Sequence, residues 1–250
     1  ITPIFIFDGK PPIEKQFVLI ERNKKAKEAK LLSEKSTTPE DKQKYEKSSI
    51  RIKKHHIDDI KQLLELMGIS YIHAVGEAEV YASELCRTGY VDYVLTEDMD
   101  TLPSGCPKMI RSCLDRSIKR TDVVSIIDLN KILEDFEMDM SNFVDMCILC
   151  GCDYCPTIPK IGINRAFGYI KKYKTIEMLI ESKKVSNVPQ GFIDNYDKSR
   201  KLFEINKDKL TDIPIHNFNY DENKLTEYLK NTCNFHDKKI SKITTKLNLK

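Results

Sequence analysis

The sequence has no apolar run that approaches the roughly 18 residues of a membrane-spanning helix, so no such span and no cleavable leader are read from it. It also lacks internal repeats and low-complexity tracts, so neither a repeat architecture nor a disordered linker is expected. Its 8 cysteines show none of the regular spacing of a secreted disulfide framework. A chain of 250 residues with 40% hydrophobic content can fill a core without bridges, and the expectation is a soluble protein with reduced thiols in an intracellular compartment. What is there in quantity is charge, at 32% of residues.

The net charge of +3 conceals a segregation along the chain. Residues 10–61 hold 15 basic against 9 acidic side chains (+6), residues 63–159 hold 7 against 17 (−10), and residues 160–201 hold 10 against 4 (+6). Basic segments favour a polyanionic partner, whereas acids gathered against their own repulsion need cations between them. Solvated helix faces would account for many of the same charges.

Residues 3–7 (PIFIF) read as a buried strand ended by Asp8 and Gly9. Residues 14–32 and 40–67 read as helix, separated by STTP and stopped by Gly68. The lysine-rich part at 23–45 has few apolar residues and is expected to stand away from the body as an excursion. Residues 70–75 and 93–96 read as strands flanking a helix at 77–87, a βαβ unit with a parallel sheet. Further strands are expected at 109–113 and 123–127, and helices at 129–136 and 143–150. From residue 156 on the pattern is helical, at 163–173, 176–181, 191–205 and 222–232.

Three acids stand where apolar runs end: Asp8 after PIFIF, and Asp98 with Asp100 after YVLT. Carboxyl ends of parallel strands are where ligands collect in open α/β sheets. Asp98 and Asp100 leave one side of an extended segment. Glu77 and Glu79 would lie roughly 200° apart inside a helix, so they share a site only if Glu77 precedes the first turn. Asp153 comes after Gly151 at a helix end. Such hard oxygen donors suit Mg²⁺ or Mn²⁺, which in pairs support phosphodiester hydrolysis. Taken alone, each acid reads first as a helix cap, a turn residue or a solvated charge.

The phrases FIFDGKPP (5–12), GEAEVYASEL (76–85), TEDMDTL (96–102) and LCGCDYCPTIPKIGINRA (149–166) stand in this order. Together they closely resemble the flap endonuclease family of structure-specific 5′ nucleases, from residue 1 to about 185. The resemblance implies an α/β fold: a PIN-like nuclease domain over 1–155 with a parallel-rich central sheet and an inserted helical arch at about 13–56. A helical, helix-two-turn-helix DNA-binding region with a C-terminal extension would occupy 156–250. It further implies that Asp8, Glu77, Glu79, Asp98, Asp100 and Asp153 hold two Mg²⁺ ions, with Mn²⁺ as a substitute, and that Lys15 and Arg22 contact the scissile phosphate. Met99 favours the flap branch, because the related exonuclease and excision-repair branches usually carry serine there.

Two departures stand out. The family's hairpin usually reads GIG, and here Lys160 replaces its first glycine, so a reshaped turn and an altered monovalent-cation site are expected. Family members also carry an upstream segment with a further metal-site aspartate and a duplex-splitting wedge. The sequence opens at Ile1 directly on a strand, so that segment is expected upstream in the parent protein.

Cys147, Cys150, Cys152 and Cys155 form a dense cluster, but tetrahedral zinc usually draws two ligand pairs across a longer loop, and buried thiols are expected instead. His55 and His56 sit in a basic helix without a carboxylate pattern. Lys160, Arg165, Lys171 and Lys172, with Gly162 at a helix start, form a candidate phosphate clamp, so Gly162, Arg165, Lys171 and Lys172 are the expected duplex contacts. The reading is a monomeric, Mg²⁺-dependent 5′ flap endonuclease acting on branched or flapped DNA by shape, in a nuclear or viral replication setting. The alternatives are a 5′ exonuclease or excision-repair endonuclease of the same superfamily, and a non-catalytic DNA-junction binding module. No aromatic-pair clamp-binding motif of the Q-x-x-h-x-x-F-F type occurs, so a sliding-clamp partner is not read here, nor is a membrane.

Overall fold

The computed structural model describes residues 1–112, 123–204 and 215–248. Cys113 and Ile205, at the ends of an expected strand and an expected helix, lie outside the described residues. The chain divides into two compact units, one of residues 1–7, 22–73 and 211–250, the other of residues 8–21 and 74–210.

In the first unit, β1 (Ile4–Phe7) pairs in parallel with β2 (Ser70–His73), Ile4 opposite Ser70 and Phe7 opposite His73. His216 adds an antiparallel bridge to Tyr71, whose ring stacks on Phe218 at 5.3 Å and whose hydroxyl donates to Glu65 at 2.7 Å. Burial and that bond push the Tyr71 phenol up to about 12. Helix α1 (Gln16–Lys35) buries only Ala26, Ala29 and Ser33, a narrow stripe of small residues, and leaves its lysines exposed. Helix α2 (Pro39–Ser49) starts at Thr38, whose hydroxyl accepts from the Asp41 N–H at 3.3 Å, with proline at the first helical position.

The expected helix at 40–67 is two helices. Ile50 is extended at ψ 134°, and α3 (Lys54–Leu66) begins anew after a four-residue break. β-Branched Ile50 and Ile52 favour that extended backbone. His56 Nδ1 accepts from the Lys53 N–H at 3.2 Å and caps the new helix, and Arg51 donates to the Arg22 carbonyl. Leu63, Leu66 and Met67 from the end of this segment pack on Leu225, Leu229 and Ile240 of α10 (Glu222–Asn231) and α11 (Asp237–Asn248). Gly68 ends the helical run at φ +66°, and a Cβ there would lie 2.6 Å from the Tyr220 nitrogen, so both angle and space require glycine.

In the second unit, α4 (Ala78–Arg87) precedes β3 (Val94–Leu95), which pairs in parallel with β4 (Lys108–Ser112), which pairs antiparallel with β5 (Val124–Asp128). The expected strands at 70–75 and 93–96 both form. Their described ladders run to β1 and β4, and none joins them to each other. Val94, Met109 and Ile127 share one sheet face by register, and that face enters the cores.

Among the described residues five further helices belong to this unit: α5 (Leu129–Phe136), α6 (Met140–Cys150), α7 (Ile163–Tyr173), α8 (Ile176–Glu181) and α9 (Gln190–Phe203). Asp128, Asp139 and Thr175 cap α5, α6 and α8 with side-chain oxygens on backbone N–H groups. One core runs through Met109, Leu149, Tyr154, Ile170, Leu179 and Phe192, so packing does not pause at the 155/156 division read from sequence. Lys160 takes φ +68° itself, the left-handed conformation a glycine would hold, which costs about 1–2 kcal/mol for a side-chain-bearing residue.

Asp145 of α6 is the buried member of an ion cluster. Asp145 is 1% exposed and accepts from Arg200 Nε at 2.5 Å, Arg200 Nη2 at 2.7 Å and the Ile176 N–H at 3.0 Å. Arg200 also grips Glu177 at 2.6 and 2.9 Å, which holds the Glu177 carboxyl down at about 2. Removing one partner of such a pair strands the other charge in the core. Arg200→Met should therefore lower unfolding stability by about 3–5 kcal/mol in urea titration. A loss below about 1 kcal/mol would show that Asp145 is satisfied without it.

Candidate metal and phosphate site

The acids singled out from sequence all belong to the second unit. Asp8 comes directly after β1, and its Oδ1 accepts from the Ala78 N–H, the first residue of α4, at 2.8 Å. Gly9 makes this approach physically feasible. Its N–H donates to the Gly76 carbonyl at 2.8 Å, and a Cβ on it would stand 2.1 Å from the Ala74 carbonyl oxygen. Any other residue would force the segments 8–9 and 74–76 apart.

Glu77 is the N-cap of α4, extended at ψ 134°, and Glu79 lies in the first turn. The condition set by their spacing is met: Glu77 precedes the helix, so both side chains reach one place. Carboxylate oxygens of Asp8, Glu77 and Glu79 lie within 4.8 Å of one another. Burial raises the Glu79 carboxyl above its ordinary range, and the charges of Asp8, Asp98 and Glu77 raise it further.

Asp98 and Asp100 are not carried on an extended segment. The chain turns after Asp98 into a short 3₁₀ turn, Met99–Thr101. Asp98 caps it, Oδ1 accepting from the Asp100 N–H at 2.9 Å, while the Asp98 N–H donates to Thr96 Oγ1 at 3.1 Å. Asp100 stays within electrostatic reach of the other acids. Burial pushes its carboxyl up to about 6, and Asp98, Asp153 and Glu79 add to the rise. Asp153 sits in a tight turn after α6.

Lys15, at the end of the 3₁₀ turn Ile13–Lys15, bridges two of these groups: it pairs with Glu77 and stands 3.4 Å from Asp153 Oδ2. Burial pulls its ammonium pKa down, but the bond to Glu77 and the charges of Glu77 and Asp153 outweigh that and leave it raised. One ammonium pairs with two of these carboxylates, while Asp8, Glu77 and Glu79 converge as a donor set of hard oxygens with excess negative charge. That chemistry fits Mg²⁺ or Mn²⁺. Arg22, the other expected phosphate contact, lies on α1 within the first unit, where its carbonyl accepts from Arg51.

The four expected duplex contacts do not converge on one point. Gly162 is the N-cap of α7, and Arg165 there donates to the Lys160 carbonyl at 2.9 Å. Lys172 is ten residues along the helix from Gly162, about 15 Å at 1.5 Å per residue, with its ammonium over the Tyr173 ring at 5.3 Å. Lys171 caps the end of α5, donating to the Phe136 carbonyl at 3.0 Å and pairing with Glu137.

Sequence reading passed over Glu97. It accepts from the Ser112 N–H at 2.8 Å, the Ser112 hydroxyl at 2.6 Å and Arg111 at 3.1 Å, and so ties the Asp98 loop to the end of β4. The Ser112 bonds hold its carboxyl below the usual range. Its place between Thr96 and Asp98 was the available signal, since alternation turns it away from the neighbouring acid. Among the described residues no three cysteines converge at metal-ligand distance.

Residues 68–153 match the XPG I-region family. Flap endonuclease 1 of Glycine max is 36% identical over 256 residues, covering 99% of this chain and 66% of that protein. Flap endonuclease 1 of Enterocytozoon bieneusi is 38% identical over 206 residues, covering 81% of this chain and 56% of that protein. The chain thus spans somewhat less than two thirds of the length of these curated relatives. Among solved structures, flap endonuclease-1 from Methanococcus jannaschii superposes with a TM-score of 0.67 at 26% identity, over 98% of this chain and 75% of that one. The catalytic core of Rad2 in complex with DNA substrate shares the fold at a TM-score of 0.71 and 19% identity, over 99% of this chain and 79% of that one. With its four motifs, its α/β architecture and these relatives in agreement, the chain belongs to the flap endonuclease family.

Proposed function

We propose that this chain carries the catalytic centre of a structure-specific 5′ flap endonuclease, which hydrolyses a phosphodiester near a junction of single-stranded and duplex DNA. The observation that carries this reading is the convergence of Asp8, Glu77 and Glu79 with a lysine bridging Glu77 and Asp153. A pure binding module gains nothing from carboxylates aimed at phosphate, whereas a hydrolase needs them.

The acids would hold two Mg²⁺ ions, which when bound supply activation of the attacking water and neutralise the leaving oxyanion. Asp8, Glu77 and Glu79 form the tightest donor group. Asp98, Asp100 and Asp153 complete the set, with Asp98 fixed by its cap bond. Lys15 stands at the edge of the cluster. Its ammonium is available to a phosphate oxygen once the carboxylates it now pairs with take another cation, and there it stabilises charge that grows in the transition state. The exposed lysines of α1 and α2 and the basic ends of α7 offer sequence-independent contacts to the DNA backbone.

Asp100→Ala should reduce single-turnover cleavage of a 5′-flap substrate by at least about three orders of magnitude and leave junction affinity within a few fold. Parallel loss of binding would mean that Asp100 holds the fold. Lys15→Ala should slow the same step by about two to three orders of magnitude with little change in affinity. An unaltered rate with weaker, more salt-sensitive binding would make Lys15 an ordinary phosphate contact.

Asp100 is neutral below its raised value of about 6 and charged above it. A cation needs the charged form, so Mn²⁺ affinity measured by calorimetry should be complete above that pH and fall as pH drops through it. An affinity flat between pH 7 and 5 would remove Asp100 from the ligand set.

A further inference from the structure

We propose that Cys152 and Cys155 form a dithiol site that exchanges with low-molecular-weight disulfides of the glutathione type, closing an intramolecular bridge around Asp153. The two sulfurs are 3.9 Å apart, and their backbones face each other in an isolated antiparallel bridge. The pair thus already stands side by side, and a disulfide requires the sulfurs to close to about 2 Å. Cys152 is half-buried and Cys155 is 2% exposed, so Cys152 is the sulfur that a disulfide in solution meets first. Cys86 and Cys106 differ: both are buried, packed with Val94, and closed to an oxidant.

The exchange has two steps. The Cys152 thiolate attacks one sulfur of oxidised glutathione, the S–S bond of glutathione breaks, and one glutathione leaves, taking up the proton that Cys152 gave. The Cys155 sulfur, losing its own proton, then attacks the Cys152 sulfur and expels the second glutathione as a thiol. Two protein thiols are oxidised by two electrons, and one disulfide is reduced to two thiols.

The site matters because of the residues between the cysteines. Gly151 enters the turn at φ +114°, where a Cβ would meet Thr157 at 2.9 Å, so the chain doubles back tightly. Tyr154 is pinned in the core, 3% exposed and edge-on to Phe203 at 5.3 Å. Asp153 points the other way, toward Lys15. Closing the two sulfurs to bonding distance tightens this turn, and with Tyr154 held in the core the adjustment falls on Asp153. Bridging therefore weakens cation binding, a consequence that rests on the metal-site role proposed for Asp153.

The test incubates the reduced protein with oxidised glutathione and tracks two readouts. Peptide mass analysis should show a fragment holding both cysteines that has lost two hydrogens. Cys155→Ser should stop at a glutathionyl adduct on Cys152, and Cys152→Ser should give neither product. Calorimetry with Mn²⁺ should show affinity about tenfold lower for the bridged protein, the size of effect seen when the support of a metal ligand is disturbed, and restored by dithiothreitol. Absence of the bridged fragment overturns the exchange site. A bridged protein that binds Mn²⁺ as tightly as the reduced one overturns the coupling to Asp153. Failure of the reduced protein itself to bind Mn²⁺ would instead count against the metal-site reading, and the mass readout would still decide the bridge.

Discussion

Mutual repulsion among carboxylates is the constraint around which the second unit is arranged. Two unit charges about 5 Å apart at an effective dielectric of about 20 repel by roughly 3 kcal/mol. Asp8, Glu77 and Glu79 are closer together than that, with Asp98, Asp100 and Asp153 near enough to add to the field. The protein meets this cost in two ways. Lys15 places one positive charge between Glu77 and Asp153. Glu79 and Asp100, the more deeply buried acids, hold their protons more tightly than an exposed carboxyl does. Neither measure neutralises the cluster, and the charge that remains is the physical basis of the metal-site proposal.

Holding such groups together demands a rigid frame, and three of the acids show one. Asp8 is tied to the α4 N-terminus, where the helix dipole favours an anion. Asp98 is fixed by its own cap bond, and Glu97 anchors the same loop on β4. Asp153 rides on a turn that Tyr154 locks into the core beside Phe203. Phe203 ends α9, and α9 is bound to α6 through Arg200 and Asp145. Asp145 and Arg200 thus tie α6, the helix that the Asp153 turn follows, to α9.

Much of this arrangement is legible in the amino-acid pattern. The acids at the ends of apolar runs do follow β1 and β3, although the strand expected to be buried at 3–7 is only half-buried, with Phe5 44% exposed, and the position of Glu77 before a helix start is signalled by the glycine just ahead of it. Other features are not legible. Residues 40–67 look like one helix because lysine, glutamate and leucine all favour helix, yet Ile50 and Ile52 break it. Lys171 looks like a free cation in a basic segment, but α7 passes the end of α5 and Lys171 pairs there. Local pattern carries no information on which distant helix end will be adjacent.

The sequence by itself determined the set of chemical groups: six carboxylates, the lysine beside them, the glycine at position 9 and the two cysteines flanking Asp153. It also determined most of the order of strands and helices, because periodicity and caps act over a few residues and are written locally, but not the break at 50–53 or helix α11. Only the tertiary structure decided which groups meet. It turned the Asp98 loop into a 3₁₀ turn, set Lys15 between Glu77 and Asp153, and brought Cys152 to 3.9 Å from Cys155. The Lys15 contacts and the clustered acids join residues far apart along the chain, and their positions depend on how a shared core packs, a quantity no local stretch of sequence contains.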